Sequence, residues 1–395
     1  MGQPVRKVIK EVHPVTSAEP IYTLILDGNS LLRLAFKDPK INTNGLHYGA
    51  IFQFLLQIRM LLQKKDFDYV YCFFDQHDSG ILRYQLYPDY KANRDKEYAA
   101  HSTEISDYMK EFNATIERMQ NYHYKKKEKP VKVETPSDRL VNENFDRERD
   151  ILLKYFNELY IRWIIDEKTE GDDLIAYYVH HKKPEEKIVI VSGDEDLTQL
   201  ISDSVCIYNI RLKKFLSEDN FKKIKGFPHE NVVLRKIFCG DKSDNIGNID
   251  GVSENRLEEL MPEILVRPVE VSEVIERAKE KINERITQKK KPLKWHENIV
   301  NGISKRNYPG NFYEINEKII NLNNVFITEE AENELKDMMY NVQDPEGRSF
   351  ENLYNYMYED GIDELKDPDR FSTFFEPFKI LADKEIKKYK KFLEN

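Results

Sequence analysis

Three short apolar runs each lead into an aspartate. YTLIL at 22–26 precedes Asp27, YVYCFF at 69–74 precedes Asp75, and KIVIV at 187–191 leads through SGDED to Asp194 and Asp196. Apolar runs of this length without polar alternation suit strands buried on both faces, as in a parallel sheet. Between the first two, HYGAIFQFLLQIRMLLQKK sets Ile51, Phe54, Leu55, Ile58, Leu61 and Leu62 at helical spacing. DDLIAYYVHH and EDLTQLI each open a helix with acidic residues. Strand and helix in alternation predict an α/β fold, a right-handed parallel twisted sheet with flanking helices. Ligands of such sheets gather beyond the carboxyl ends of the strands, the edge that Asp27, Asp75 and Asp194 occupy. Glu170, Asp172 and Asp173 sit at a helix start, where backbone N–H groups and the helix dipole favour negative charge.

Carboxylates gathered on one edge repel one another, and their pKa values rise unless positive charge stands among them. An all-oxygen set without His or Cys suits Mg²⁺, with Mn²⁺ as substitute, rather than Zn²⁺. Phosphodiester hydrolysis needs an activated water, charge on the phosphoryl oxygens and a stabilised leaving oxygen, and two divalent ions about 4 Å apart supply all three. On this reading Asp27, Asp75, Glu170 and Asp172 hold one ion, directly or through water. Asp173, Asp194, Asp196 and, from FCGDKSDNI, Asp241 and Asp244 shape a second, more hydrated position. Taken singly, an aspartate such as Asp196 or Asp219 reads equally as a cap; the set on one edge argues for metal. A haloacid-type phosphatase would carry a second aspartate two positions after Asp27, where LILDGNS has Asn29.

The chain has 395 residues, room for two or three domains, and its 40% hydrophobic and 33% charged residues predict a soluble globular protein. No apolar run is long enough for a bilayer, the first 20 residues hold no secretory h-region, and Arg6 stands where myristoylation requires Ser or Thr. Cys72, Cys206 and Cys239 suit neither a disulfide framework nor a zinc motif, which predicts inert thiols in a reducing cytoplasm. The net charge of −9 does not exclude nucleic acid, because the acidic edge contributes to it. Basic segments at 90–96, 124–132, 211–214, 221–226 and 289–296 count only through where the fold places them.

Residues 1–20 read as a tail and 21–225 as the α/β domain, with a polar, largely helical insertion at 96–150. Residues 226–265 read as a compact helical unit and 266–395 as a helical domain, in which Tyr354, Tyr356, Phe371, Phe374 and Phe375 are expected to pack a core rather than stack on bases. Lys91 and Arg94, three apart, read as one helix face suited to a phosphate contact and a transition-state clamp, the plain alternative being a solvated face.

LILDGNSLLRLAF, FFDQHDSGILRYQLYPDYKANRD, EGDDLIA, VSGDEDLTQL and GDKSDNI, in order over roughly residues 21–260, resemble the five motif blocks of the 5′-nuclease family. That family includes flap endonucleases and the 5′-nuclease domains of bacterial DNA polymerases, and the chain resembles its phage branch, with its RNase H enzymes, most. The resemblance implies a PIN-like fold with a helical arch at 96–150 and a helix–three-turn–helix within 226–265. Its metal ligands fall on Asp27, Asp75, Glu170, Asp172, Asp173, Asp194, Asp196, Asp241 and Asp244. Its basic residues near the scissile phosphate fall on Lys91 and Arg94, with Tyr90 as a base-stacking surface and Arg83 as a second phosphate contact. In the arch, Lys125, Lys126, Lys127 and Lys129 either line a path for a 5′ flap or belong to a loop without a specific role.

In GDKSDNIGNIDGVSENRLEELM the resemblance implies a grip on duplex backbone through Gly251, Ser253 and Asn255, and K⁺ held by backbone carbonyls. Gly247 stands at the usual Pro, Asn248 and Ser253 at usual Gly positions and Asn255 at the usual Lys, departures that bear on both the K⁺ site and the grip. The expected activity is that of a monomeric, Mg²⁺-dependent 5′→3′ exonuclease and flap endonuclease in the cytoplasm, a host's if phage-encoded. Its substrates would be DNA with a 5′ flap or 5′ end and RNA–DNA hybrids, as in primer removal during replication, with a single-strand-binding protein or sliding clamp as partner. Two alternatives remain: a PIN-type ribonuclease acting on RNA alone, and a non-catalytic DNA-junction binder, against which all nine carboxylates are present.

Overall fold

The computed structural model describes residues 19–38, 40–76, 79–92 and 136–394. Among these residues the strands β1 (Ile21–Asp27), β2 (Tyr69–Asp75), β3 (Arg162–Asp166), β4 (Glu186–Ser192), β5 (Val205–Asn209) and β6 (Lys214–Leu216) form one sheet. Their order is β3-β2-β1-β4-β5-β6; all pairs are parallel except β5 with β6. The chain steps outward from β1 in one direction and returns to build in the other. The crevice between β1 and β4 is therefore the topological switch point where such sheets bind ligands.

Side-chain alternation divides each central strand between two cores. Leu24 and Leu26, Cys72 and Phe74 enter one; Ile25, Tyr71 and Phe73, Ile188 and Ile190 enter the other. The helices are α1 (Gly28–Ala35), α2 (Gly49–Leu62), α3 (Ile81–Leu86), α4 (Pro136–Glu158), α5 (Gly171–His181), α6 (Glu218–Lys225) and α7 (Asn231–Cys239). They continue as α8 (Glu254–Leu260), α9 (Val271–Thr287), α10 (Lys294–Asn301), α11 (Phe312–Ile320), α12 (Glu329–Tyr340), α13 (Phe350–Glu359) and α14 (Pro368–Leu393). The first core packs α1, α2, α4, α13 and α14 on one face of the sheet, and the second packs α5 and α12 on the other. A third core joins Tyr87 and Tyr90 to α7, α8, α9, α10 and α11.

The helical spacing read in the second segment is realised: Ile51, Phe54, Leu55, Ile58 and Leu61 are the buried face of α2. The expected helical domain over 266–395 is not a separate body. α9 to α11 share a core with residues 234–264, α12 closes the second sheet face, and α13 and α14 close the first. Phe371, Phe374 and Phe375 are core residues, as expected. Burying each contributes about 1.5–3 kcal/mol, which is why a C-terminal helix is drawn back onto an N-terminal one. Of the insertion expected at 96–150, α4 runs from Pro136 and carries Leu152, Tyr155 and Phe156 into the first core; residues 93–135 lie outside the described residues.

One glycine fixes the approach of chain to site. A Cβ on Gly28 would lie 2.6 Å from the Phe74 ring, so α1 can start directly after Asp27 only if residue 28 has no side chain.

Candidate active site

The carboxyl edge of the sheet carries Asp27 at the end of β1, Asp75 at the end of β2 and Asp194 just past β4. Asp27 caps α1: Ser30 N–H donates to its Oδ1 at 3.0 Å, and the Ser192 hydroxyl donates to its Oδ2. The cap and the metal-ligand reading thus coincide at one residue. Ser192 also accepts the Asp194 N–H at 2.8 Å, and Ser30 Oγ accepts the Gly193 N–H at 3.0 Å, so two serines tie β1 to the turn after β4. Asn29 Nδ2 donates to the Asp75 carbonyl at 3.0 Å, joining β1 to β2. Glu170 is the N-cap residue of α5, and a Cβ on Gly171 would sit 3.9 Å from the Asp75 carboxyl carbon, so the helix start abuts that aspartate.

The carboxylates fall into two electrostatic groups. Glu170 and Asp173 are neutralised internally. Arg83 Nη1 donates to Glu170 Oε2 at 2.6 Å and to Asp173 Oδ2, and its Nη2 donates to Asp173 Oδ1 at 3.0 Å. Lys91 Nζ donates to Glu170 Oε1, and Tyr90 Oη donates to Glu170 Oε2 at 2.9 Å. Burial works against ionisation of Glu170, but Lys91 and Arg83 outweigh it and hold the carboxyl at about 2. Asp196 and Asp241 share Lys236, whose ammonium reaches both; burial opposes the Asp241 charge, while Lys236 and Ser243 bring it down to about 2.

The second group has no direct counter-ion. Among the described residues Asp27, Asp172 and Asp194 take part in no ion pair. Burial, opposed by the Ser192 and Ser30 hydrogen bonds and reinforced by Asp194 and Asp75, pushes Asp27 up to about 7. Burial, then the charges of Asp194 and Asp27, push Asp172 well above the carboxylate range. Burial also raises Asp75, partly offset by Lys91. Among the described residues no three of these side chains, as they lie, converge to ligating distance of one point. What fits a divalent cation is the donor chemistry: oxygen ligands that raise one another's pKa, without a nitrogen or sulfur donor.

Several expected roles are corrected by burial. Arg83 is 3% exposed and donates through Nε to the Ile319 carbonyl at 3.0 Å; it is an internal counter-ion, not a phosphate contact. Tyr90 is 3% exposed, its ring edge-on to Tyr84 and its hydroxyl on Glu170, so it has no face to offer a base. Asp173 spends both oxygens on Arg83 and accepts the Phe326 N–H at 3.0 Å, which removes it from the ligand set. Lys91 lies not on a helix face but in a turn with φ +52°, its N–H on the Asp244 carbonyl at 2.9 Å. Arg94, Lys125, Lys126, Lys127 and Lys129 lie outside the described residues. Gly251 has φ +83° and caps a turn before α8, at whose start Ser253 and Asn255 are exposed. Ser192, Ser30 and Lys236 were not singled out by sequence; Ser192 two residues before Asp194 carried a local signal, whereas Lys236 has partners 40 and 5 residues away.

The sequence profile of the 5′-3′ exonuclease N-terminal resolvase-like domain matches residues 22–226, more than half of the chain. The chain belongs to the 5′-3′ exonuclease family. It is 27% identical over 249 residues to DNA polymerase I of Caldicellulosiruptor bescii, covering 61% of this chain and 24% of that one. It is 26% identical over 231 residues to a 5′-3′ exonuclease of Aquifex aeolicus, covering 58% and 64%. The chain thus spans about a quarter of the length of the polymerase it matches. Among solved structures it is similar to the bacteriophage T5 flap endonuclease in a pseudo-enzyme–product complex with DNA and metal ions, with TM-score 0.52 and 15% identity over 91% of this chain and 99% of that one. At that identity the likeness is one of fold, and it covers the helical region beyond the exonuclease domain as well as the sheet.

Proposed function

We propose that this family member is a Mg²⁺-dependent, structure-specific 5′-nuclease that hydrolyses phosphodiesters near the junction of a 5′ flap or at a recessed 5′ end, with RNA–DNA hybrids among its substrates. The observation that carries the reading is the group at the switch point of the sheet: Asp27 and Asp172, raised by burial and by the charge of the neighbouring Asp194, and Asp75, raised by burial and Glu170. The four aspartates would hold the divalent ions, with Mn²⁺ able to substitute. When bound, such ions supply positive charge at the scissile phosphate and acidify water.

The chain's own groups prepare that chemistry. Ser30 and Ser192 fix both oxygens of Asp27. Glu170 and the Asp244 carbonyl hold the side chain and N–H of Lys91, whose charge reaches Asp75 and Asp172 and suits a phosphate oxygen. Family relatives named as exonucleases, and a structural neighbour complexed with DNA and metal ions, support the substrate class.

The test is cleavage of a 5′-labelled DNA flap, an RNA–DNA hybrid and a single-stranded RNA, in Mg²⁺ and in EDTA, by the protein and its Asp194→Asn variant. Metal-dependent cutting near the junction, lost in the variant while binding persists, is the expected result. Preference for single-stranded RNA would move the protein to the ribonuclease class. Tight flap binding without cutting in either Mg²⁺ or Mn²⁺ would make it a junction binder.

A further inference from the structure

Among the described residues outside the acidic edge, the stretch from Arg285 to Arg306 is strongly one-sided in charge. It holds Arg285, Lys289, Lys290, Lys291, Lys294, Lys305 and Arg306 against the single carboxylate Glu297, in a chain of net charge −9. It forms the end of α9, the loop that follows and α10, a helical hairpin. All of its lysines and Arg306 are exposed. The body of α9 is different: Arg277, Lys279 and Lys281 are each paired with a glutamate one turn away or on the neighbouring segment. Among the described residues Lys289, Lys290, Lys291, Lys294 and Arg306 are in no ion pair. A solvated helix face balanced by its own neighbours describes α9; it does not describe the hairpin tip.

The tip is also fixed in place. A Cβ on Gly251 would lie 3.2 Å from Trp295 Cβ, and Asn298 Nδ2 donates to the Asp250 carbonyl at 2.8 Å. Asp250 N–H donates to the Ile303 carbonyl at 2.8 Å, and Ile249 bridges to Ser304. A Cβ on Gly247 would meet the Arg306 side chain at 2.9 Å. The hairpin is therefore pinned along the turn 247–251, which itself follows Asp241 and Asp244 at the catalytic edge. Arg256, on the exposed start of α8, lies 5.8 Å from the Trp295 ring and extends the same basic surface.

We propose that the hairpin tip and Arg306 form a second, sequence-independent contact for duplex phosphate backbone, continuous with the turn at 247–251 and leading away from the acidic edge. The proposal rests on the nuclease reading above and adds where the duplex lies. Exposed lysines and an arginine that are in no ion pair, with one carboxylate among them, suit a line of phosphates, whose neutralisation releases counter-ions and makes binding salt-dependent.

The test uses the full chain carrying Asp194→Asn, so that binding is read without cutting. Affinity for a flap with a long duplex arm and one with a short arm is measured across salt concentrations, with and without Lys289→Gln, Lys290→Gln, Lys291→Gln and Lys294→Gln together. A second variant, Arg306→Gln alone, guards against a cooperative effect of four changes, and a thermal melt shows that each is folded. The expected result is a loss of about tenfold or more on the long arm at low salt, a salt slope smaller by about 0.9 per phosphate contact removed, and little change on the short arm. Cleavage rate at saturating flap, measured with Asp194 intact, should be unchanged. Equal affinity and slope in variant and parent on both arms would overturn the proposal while leaving the nuclease reading standing. Equal loss on single strands and duplex would mark general polyanion binding and also overturn it. A parent that binds no flap at all would sink both readings.

Discussion

At the scale of the residue, the site is defined by which carboxylates have a counter-charge and which do not. Asp27 sits at about 7 against an ordinary 3.8, so between about pH 4 and pH 7 the folded chain keeps a proton that the unfolded chain has released. Stability from this group is therefore lost as pH rises through that window. Asp27→Asn should raise stability at neutral pH in metal-free buffer by about 1–3 kcal/mol, read in a denaturant titration, while cutting flap cleavage by about two orders of magnitude or more. Glu170 behaves oppositely. Held at about 2 against 4.5, it contributes stability above about pH 4.5 that is lost as pH falls toward 2. Its partner Arg83 is costly to lose: Arg83→Met leaves Asp173 without a cation and Glu170 with Lys91 alone, and should destabilise the fold by about 3–5 kcal/mol. Arg83→Lys should restore only part, because a lysine cannot span both carboxylates with a planar fork.

At the scale of the element, β1 and α1 meet with no linker, and that junction aims Asp27. Gly28→Ala would drive a methyl group to 2.6 Å from the Phe74 ring. The expected outcome is a loss of about 1–3 kcal/mol together with lower cleavage, and partial rescue of both by Phe74→Leu; an unchanged melting temperature in the single variant would contradict the packing argument. These elements were legible in sequence because their runs carry one message. YTLIL and YVYCFF are apolar but for Thr23, as suits strands covered on both faces, and α2 repeats its apolar residues at helical spacing. What was not legible depends on contacts distant in the chain. Arg83 meets partners 87 and 90 residues on, and nothing around it distinguishes a buried counter-ion from a phosphate contact. Lys91 was assigned to a helix face from its spacing of three to Arg94, but its N–H is held by the Asp244 carbonyl and its backbone turns left-handed.

At the scale of the whole molecule, the helical region past residue 266 is distributed over three cores rather than folded alone, and this binds the sheet, the 240–255 turn and the C-terminal helix into one unit. Phe375, fully buried between α13, α14 and the first sheet face, lies far from the acidic edge in sequence and function. Phe375→Ala should cost about 3–5 kcal/mol in an unfolding titration yet leave the cleavage rate of the folded fraction intact. The division of charge follows the same plan: carboxylates without a direct counter-ion at the switch point, unpaired cations on the α9–α10 hairpin. The most direct test of the acidic edge is calorimetric titration of the protein with Mg²⁺ near pH 7 in two buffers of different ionisation enthalpy. Asp27 is pushed up to about 7, so cation binding should release protons and tighten as pH rises through this range, and Asp27→Asn should weaken both effects. Binding without proton release, or equal binding in the variant, would contradict the assignment of these carboxylates as the cation site.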